Sequence, residues 1–375
     1  MRILFFHSAW AIWGGLERVL IDKMNCLANE EGYDIFTITY DQGTNPVSFQ
    51  LSPQIVHHDL NIRLYRQYRY CGLKKYYYKY KLEKLLIKRL QSEIKNIMPD
   101  VLVCPRVDML DYVLKVKGNI PLVFESHSSY KWIAMEKSGL VWSIKQRYYN
   151  RLVKKTQMAV ALTEGDAVEW RKISKHVCVI PNVVSLNHSG RYSNCQSKSA
   201  IFVGRLCLQK DIHSLLHIWS IVHQRFPEWQ LHIFGNRGDE TESIYHAVEV
   251  IDANISIHEP TSQIFDKYLE SSMLLLTSLY EPFGLVLPEA MSCGLPVVSF
   301  DCPYGPADII TNGVDGFLIR NRNIEEFAEK VCLLIENQEL RVKMGKAGIV
   351  SSQKYATHHI MPQWKQLFEQ YKKYE

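Results

Sequence analysis

The sequence contains no Cys-x-x-Cys pair, no Asp-x-Asp triplet, no Gly-x-Gly-x-x-Gly loop, no internal repeat and no low-complexity tract. Nor does it contain an apolar run of the roughly 18 residues that a membrane-spanning helix needs. Each absence removes a class of protein. The nine cysteines stand singly, at Cys26, Cys71, Cys104, Cys178, Cys195, Cys207, Cys293, Cys302 and Cys332, and their number is odd. That argues against a disulfide framework or a zinc cluster and leaves small buried hydrophobes in a reducing compartment. Without the glycine-rich fingerprint, a nicotinamide-binding reading has no support. The apolar run at residues 3–6 is too short for a signal peptide, and no small-residue cleavage site follows it. The expectation is a cytoplasmic protein.

What is present is ordinary globular composition, 47% apolar and 22% charged, over 375 residues, enough for two α/β domains. Short apolar runs alternate with amphipathic stretches, the pattern of parallel sheets with helical crossovers. Strands are expected at residues 3–6, 35–40, 101–104, 122–124 and 158–162, with helices at 16–29, 73–98, 141–155 and 164–171. The Ser-, Asn- and Gly-rich stretch 185–198 reads as a linker. Strands then resume at 200–203, 231–234, 255–257, 273–277 and 296–300. The expected division is a first α/β domain at 1–184, the linker at 185–198, a second α/β domain at 199–355, and a last helix at 356–375 returning to the first domain. Two doubly wound sheets so joined leave a cleft, and ligands of such sheets bind at the carboxyl ends of the strands.

Several motifs follow strands. Gly14-Gly15 precedes the first helix, where glycines let backbone approach a phosphate and the helix start favours an anion. The alternative is a tight strand-to-helix turn. Arg205 and Lys210 follow the strand at 200–203. A guanidinium fork and a compact ammonium suit a diphosphate, and plain surface charge is the alternative. Glu281 and Glu289 suggest an acid–base pair, but Glu289 would lie roughly 7 Å along a helix from Gly284 at ~1.5 Å per residue, while Glu281 sits in the loop before it. They more naturally hold different parts of one extended ligand. The N–H groups around Phe283, Gly284 and Leu285 can serve sugar or phosphate oxygens.

The segment from Glu281-Pro282-Phe283-Gly284 to Glu289-Ala290-Met291, an E-x7-E element, resembles the retaining glycosyltransferases of family 4. So do Gly14-Gly15, Val203-Gly204-Arg205-Leu206 with Lys210, Phe234-Gly235 and Asn312-Gly313-Val314-Asp315-Gly316-Phe317-Leu318, in order and spacing over nearly the whole chain. The resemblance implies a GT-B fold, two Rossmann-like doubly wound domains facing a cleft. It implies that Arg205 and Lys210 grip the donor's diphosphate, that Glu289 binds the ribose, that Glu281 meets the donor sugar, and that His127 lies near donor sugar and acceptor. A structural histidine is the alternative for the last. The loop Cys302–Asp308 is similar to an element of members that transfer galactose-type sugars, including N-acetylgalactosamine; a structural turn is the alternative. The expected catalytic set is His127, Glu281, Arg205 and Lys210. With no Asp-x-Asp triplet, the positive charge of Arg205, Lys210 and the helix start can stand in for a metal, so neither metal nor cofactor is expected.

Between Arg63 and Arg89 lie ten basic residues and one acidic residue, Glu83. Arg63, Arg66, Arg69, Lys74, Lys75 and Lys79 alternate with tyrosines, a mixture suited to an anionic membrane surface or a lipid-linked diphosphate. A solvated face is the alternative, and a pI near 8.6 is too mild to favour nucleic acid. The expected function is transfer of a sugar from a nucleoside-diphosphate sugar, with uridine the expected base, to a glycan or lipid-linked acceptor in surface polysaccharide or lipopolysaccharide synthesis at the inner face of the plasma membrane. The alternative is an epimerase or hydrolase of sugar nucleotides with the same fold.

Overall fold

A computed structural model of the chain describes residues 1–130, 140–187 and 189–372. They form two compact units, Met1–Val183 joined by the segment from Ile360 onward, and Val184–His359.

The first unit runs β1 (Arg2–Phe6), α1 (Gly15–Ala28), β2 (Asp34–Thr39), β3 (Val56–Asp59), α2 (Gly72–Ile97), β4 (Val101–Cys104), α3 (Leu110–Val116), β5 (Leu122–Ser126), α4 (Leu140–Val153), β6 (Met158–Ala161), α5 (Glu164–Arg171) and β7 (Val177–Val179). Its seven strands pair in the order β3-β2-β1-β4-β5-β6-β7, every pair parallel. Parallel sheets are covered on both faces, which is why their strands read as unbroken apolar runs. Alternate residues serve opposite faces. Ile3, Phe5, Val101, Val103 and Val123 pack with α1 and with Ile360, Trp364 and Phe368. Leu4, Phe6, Leu102, Leu122 and Phe124 pack with Leu86, Leu90 and Ile94 of α2 and with Trp170 of α5.

The second unit continues with β8 (Ser199–Val203), α6 (Ile212–Arg225), β9 (Gln230–Phe234), α7 (Thr241–Val250), β10 (Ile255–His258), α8 (Ile264–Leu269), β11 (Met273–Leu276), α9 (Val286–Ser292), β12 (Val297–Phe300), α10 (Gly305–Ile309), β13 (Gly316–Ile319), α11 (Ile324–Glu336) and α12 (Gln338–Ser352), and the chain ends in α13 (Thr357–Glu369). The sheet order β10-β9-β8-β11-β12-β13 repeats the first unit's plan. In both, the order reverses beside the first strand, between β1 and β4 and between β8 and β11.

The expected strands and helices form, with ends shifted by at most two residues, except that the last helix, expected over 356–375, ends at Glu369. The sequence reading passed over the strands β3, β7 and β13 and the helices α3, α10, α11 and α12, α10 falling in the stretch read as a loop at Cys302–Asp308. β3 and β7 are edge strands, half-covered and short, so neither shows a continuous apolar run. The expected linker is corrected. Residues 185–198 belong to the second unit, where Cys195 is fully buried and Arg341 donates to its carbonyl at 2.9 and 3.1 Å. Missing apolar period there means missing secondary structure, not missing packing. His188 of that stretch and residues 373–375 of the expected last helix lie outside the described residues. Among the described residues, no helix is long and apolar enough to cross a membrane.

Asp166 ties the end of β5 to α5. It accepts from the Tyr130 N–H at 2.7 Å, the Ser126 hydroxyl at 2.8 Å and the Trp170 indole at 2.9 Å. Burial raises its carboxyl to about 6, against those three hydrogen bonds, which lower it. Asp166→Ala leaves the Tyr130 N–H without an acceptor, while Ser126 and Trp170 keep theirs in Ser128 O and Ser126 Oγ, and should cost about 2 kcal/mol in urea unfolding. The raised carboxyl holds its proton more tightly in the native state than in the unfolded chain. Its contribution is therefore full below the ordinary carboxylate range and is lost as pH rises through about 6. The variant should lack that loss.

Candidate functional site

In the second unit the loops after β8 and β11 flank the point where strand order reverses, and they bring Lys210 and Glu281 together. Lys210 Nζ lies 2.5 Å from Glu281 Oε1, and the Ser278 hydroxyl donates to the same oxygen at 2.6 Å. The pair is nearly covered, with side chains 16% and 6% exposed. Arg205 is exposed and pairs with no residue among those described. Glu289, in the first turn of α9, is buried and accepts from the Tyr268 hydroxyl at 3.2 Å. Glu281 and Glu289 thus have separate partners.

Backbone contacts hold these loops close. Glu281 exchanges backbone bonds with the loop after β12, donating to Pro303 O at 2.8 Å and accepting from Tyr304 N at 2.8 Å and Gly305 N at 2.9 Å. A Cβ on Gly235, just past β9, would lie 1.8 Å from Gly204 O, so only glycine lets the loops after β8 and β9 touch there. Gly284 has φ +93°, a conformation that disfavours any side chain. It turns the chain from Glu281 into α9, which begins at Val286. The N–H groups of Phe283 and Gly284 have no acceptor among the described residues.

Sequence reasoning missed the group that fastens these loops. Arg322, after β13, donates to Thr277 O at 3.0 Å, to Ser278 O at 2.9 Å and to the Asp211 carboxylate. Its guanidinium also lies 4.3 Å over the Phe300 ring. Thr277 Oγ1 bonds the Lys210 and Asp211 carbonyls, each at 3.0 Å. One arginine therefore joins the loops after β8 and β11 to the end of β13. No local motif marked it, because it acts through contacts distant in sequence. The stretch Asn312–Leu318 does local work: Asn312 Oδ1 accepts from Leu318 N at 3.0 Å, and buried Asp315 accepts from Thr311 N and Ser351.

In the first unit, Gly14 begins α1 with no side-chain cap. Buried Glu17 folds back there, so that a Cβ on Gly14 would lie 2.4 Å from Glu17 Oε2. The same carboxylate bonds His7 at 3.2 Å. The glycine thus has a local steric reason, and the helix start already faces a carboxylate. This favours the turn reading of Gly14-Gly15 over a phosphate seat. His127, just past β5, is held through Nε2 by Glu125 at 2.9 Å. Glu125 is fully buried and also takes Lys23 at 2.5 Å. Neither Glu125 nor Lys23 was read from the sequence as part of a site.

Arg63, Arg66 and Arg69 lie in and before a 3-10 turn at Leu64–Arg69, and Lys74, Lys75 and Lys79 lie at the start of α2. The buried residues of α2 are Leu86, Leu90, Ile94 and Ile97, all in its second half. The first half presents exposed Leu73, Tyr76, Tyr77 and Tyr80 among its lysines. Lys74 and Lys75 sit over the rings of Tyr70 and Tyr68, 5.0 and 4.6 Å away.

Two family models meet in this chain. Glycosyltransferase Family 4 matches residues 13–188 and Glycosyl transferases group 1 matches residues 191–350. Over both units the chain is similar to the glycosyltransferases that these two models describe. An uncharacterized glycosyltransferase of Haemophilus influenzae is 28% identical over 97% of this chain and 99% of its own length. The amylovoran biosynthesis glycosyltransferase AmsD of Erwinia amylovora is 31% identical over 51% of this chain and 55% of its own. The crystal structure of TarM from S. aureus superposes with TM-score 0.81 over 98% of this chain and 99% of that one, at 15% identity. The fold is GT-B.

The fork of Arg322 sets the first test. Arg322→Ala leaves two carbonyls and a carboxylate without their donor and should destabilise the second unit by about 2 kcal/mol in urea unfolding. Arg322→Lys should recover only part of that, because an ammonium cannot span the three acceptors as a planar fork does.

Proposed function

We propose that this glycosyltransferase moves a hexose-type sugar, with retention of configuration, from a UDP-sugar to a glycan or lipid-linked acceptor in surface polysaccharide or lipopolysaccharide synthesis, without a metal. The observation that carries the reading is the charge set at the reversal point of the second sheet, Lys210 with Glu281 beside unpaired Arg205. Sheets of this kind bind ligands outside the strand ends at that point.

The chemistry follows from donor and acceptor counts. Lys210 has three N–H donors and spends one on Glu281, which leaves two for a phosphate. Arg205 is uncommitted and offers its fork. The N–H groups of Phe283 and Gly284 add neutral donors. Together these stabilise charge that grows on the departing diphosphate. Glu281, held by Lys210 and Ser278, is placed for the sugar's hydroxyls, and Glu289 for the ribose. The acceptor oxygen bonds to the anomeric carbon as the bond to the diphosphate breaks on the same face, and the acceptor's proton passes to the diphosphate. The TarM structure contains UDP and alpha-GlcNAc-glycerol, and AmsD is named for amylovoran biosynthesis; both support the donor and acceptor classes. The loop Cys302–Asp308 packs by Gly305 against the Phe283 carbonyl, beside the segment assigned to the sugar, which keeps a galactose-type sugar within the proposal.

Calorimetry with UDP in EDTA should show binding. Arg205→Ala and Glu289→Ala should each weaken it about tenfold or more, the value of one charge-assisted hydrogen bond. A panel of UDP-glucose, UDP-galactose and their N-acetylated forms should give slow UDP release from at least one. Absence of any nucleotide binding sinks the proposal, and an inverted anomer in the product sinks retention.

The exposed basic and tyrosine-rich turn supports docking on an anionic membrane. Vesicles containing phosphatidylglycerol should retain the protein at low salt and release it as salt rises. Replacing Arg66, Arg69 and Lys74 by glutamine should weaken binding by about 1 kcal/mol per charge. Equal retention of the triple variant would exclude this surface.

A further inference from the structure

α1 carries a lysine on its buried face. Lys23 is 1% exposed and stands among Leu20, Ile21, Met24 and Leu27. Burial pulls its ammonium below the ordinary range, against the attraction of Glu125. An apolar residue would serve the core better, since buried ion pairs seldom outdo well-packed hydrophobes. The lysine therefore needs a reason beyond packing, and its geometry supplies one. Glu125 Oε2 receives both Lys23 Nζ at 2.5 Å and His127 Nε2 at 2.9 Å.

The third member comes from the C-terminal helix. Trp364 places its ring 3.6 Å from Lys23 Nζ. The indole N–H is buried and has no acceptor among the described residues. A buried tryptophan ordinarily finds a partner for that hydrogen. Here the side chain is placed by its ring, as a face against the ammonium, which stabilises a desolvated cation.

The consequence falls on His127. Burial raises the Glu125 carboxyl, but the Lys23 ammonium and the His127 hydrogen bond together outweigh it and hold the group below the ordinary range. An ionised carboxylate only accepts, so Nε2 of His127 must carry the hydrogen. Nδ1 is then the ring nitrogen left for a ligand. A protonated Glu125 could donate instead and reverse the ring.

We propose that Lys23, Glu125 and Trp364 are positioning residues that fix His127 in the Nε2–H form and orient its ring, so that the C-terminal helix supports the transfer site. This rests on the reading of His127 as a residue near donor sugar and acceptor, which the family resemblance implies. Heteronuclear NMR of 15N-histidine-labelled protein at alkaline pH reads the tautomer directly, with the His127 signals identified by their loss in His127→Gln. The wild type should show protonated Nε2 and bare Nδ1. Glu125→Gln should give mixed tautomers, and so should the double variant Lys23→Met/Glu125→Gln, which removes both charges together and keeps the core apolar. Trp364→Leu should broaden or shift the signal, and Trp364→Phe should restore it. Release of UDP from UDP-glucose and UDP-N-acetylglucosamine should fall tenfold to a hundredfold in Glu125→Gln, roughly the cost of misplacing a reacting group, with UDP affinity unchanged. An unaltered His127 signature in Glu125→Gln and in the double variant overturns the proposal. A lost signature with unaltered UDP release upholds the positioning and overturns the assignment of His127 to transfer.

Discussion

The contact on which the second unit's site depends is the ion pair of Lys210 and Glu281. Such a pair is a poor device for stability. Taking both charges out of water costs several kcal/mol, and the mutual attraction seldom returns much more. Its value lies in what it fixes. Lys210 belongs to the loop after β8 and Glu281 to the loop after β11, the two strands between which the sheet order reverses. Joining them at 2.5 Å sets the separation of a cation and a carboxylate at the place where such sheets receive ligands. The Ser278 hydroxyl on the same oxygen limits rotation of the carboxylate. Arg322 then fixes the backbone beneath, through the carbonyls of Thr277 and Ser278 and the Asp211 carboxylate.

That arrangement needs backbones to approach more closely than side chains allow. Gly235 lies against the Gly204 carbonyl, and Gly284 turns with φ +93° between Glu281 and α9. These glycines are structural in the strict sense, since a Cβ meets backbone or forces strain. They are also the reason why uncommitted N–H groups remain at Phe283 and Gly284. On the proposed reading structural need and ligand recognition coincide there, because backbone held this tightly presents donors that need no reordering when a charge arrives.

How legible this was from sequence depended on the range of the interaction. Strands buried on both faces announced themselves as apolar runs, as in residues 101–104 and 273–276. The edge strands β3 and β7 did not, because half their residues face outward. Arg205, Lys210, Glu281 and Glu289 were legible because they follow strands in a spaced pattern. Arg322 and Lys23 were not. Arg322 reaches partners 44 to 111 residues away, and Lys23 looks like one polar residue in an amphipathic helix although it meets Glu125 across 102 residues. At Gly14-Gly15 a pair that suggests phosphate binding also has a local steric cause in Glu17. The stretch 185–198 shows that polar composition without period does not imply a free linker, since Arg341 anchors it by the Cys195 carbonyl.

The two units share one strand order and treat charge in opposite ways. In the first unit two cations are answered by carboxylates, Lys23 by Glu125 and Arg106 by Asp108 at 2.8 and 3.0 Å, and burial lowers the His7 imidazole beside Glu17. What such a surface offers is neutral polarity, which suits the hydroxyls of a glycan and gives an anion little purchase. The second sheet leaves the Arg205 guanidinium uncommitted and Lys210 with donors to spare. An anion therefore gains more there, because a cation already satisfied by a buried partner must give that partner up before it can bind. On the proposed reading the division follows from this arithmetic of committed and uncommitted donors: the nucleotide diphosphate belongs with the second unit and the acceptor's hydroxyls with the first. The exposed lysines and arginines of the 3-10 turn and early α2 are the first unit's exception, and they project from a helix half that buries nothing, where a charged surface larger than a single ligand can meet them.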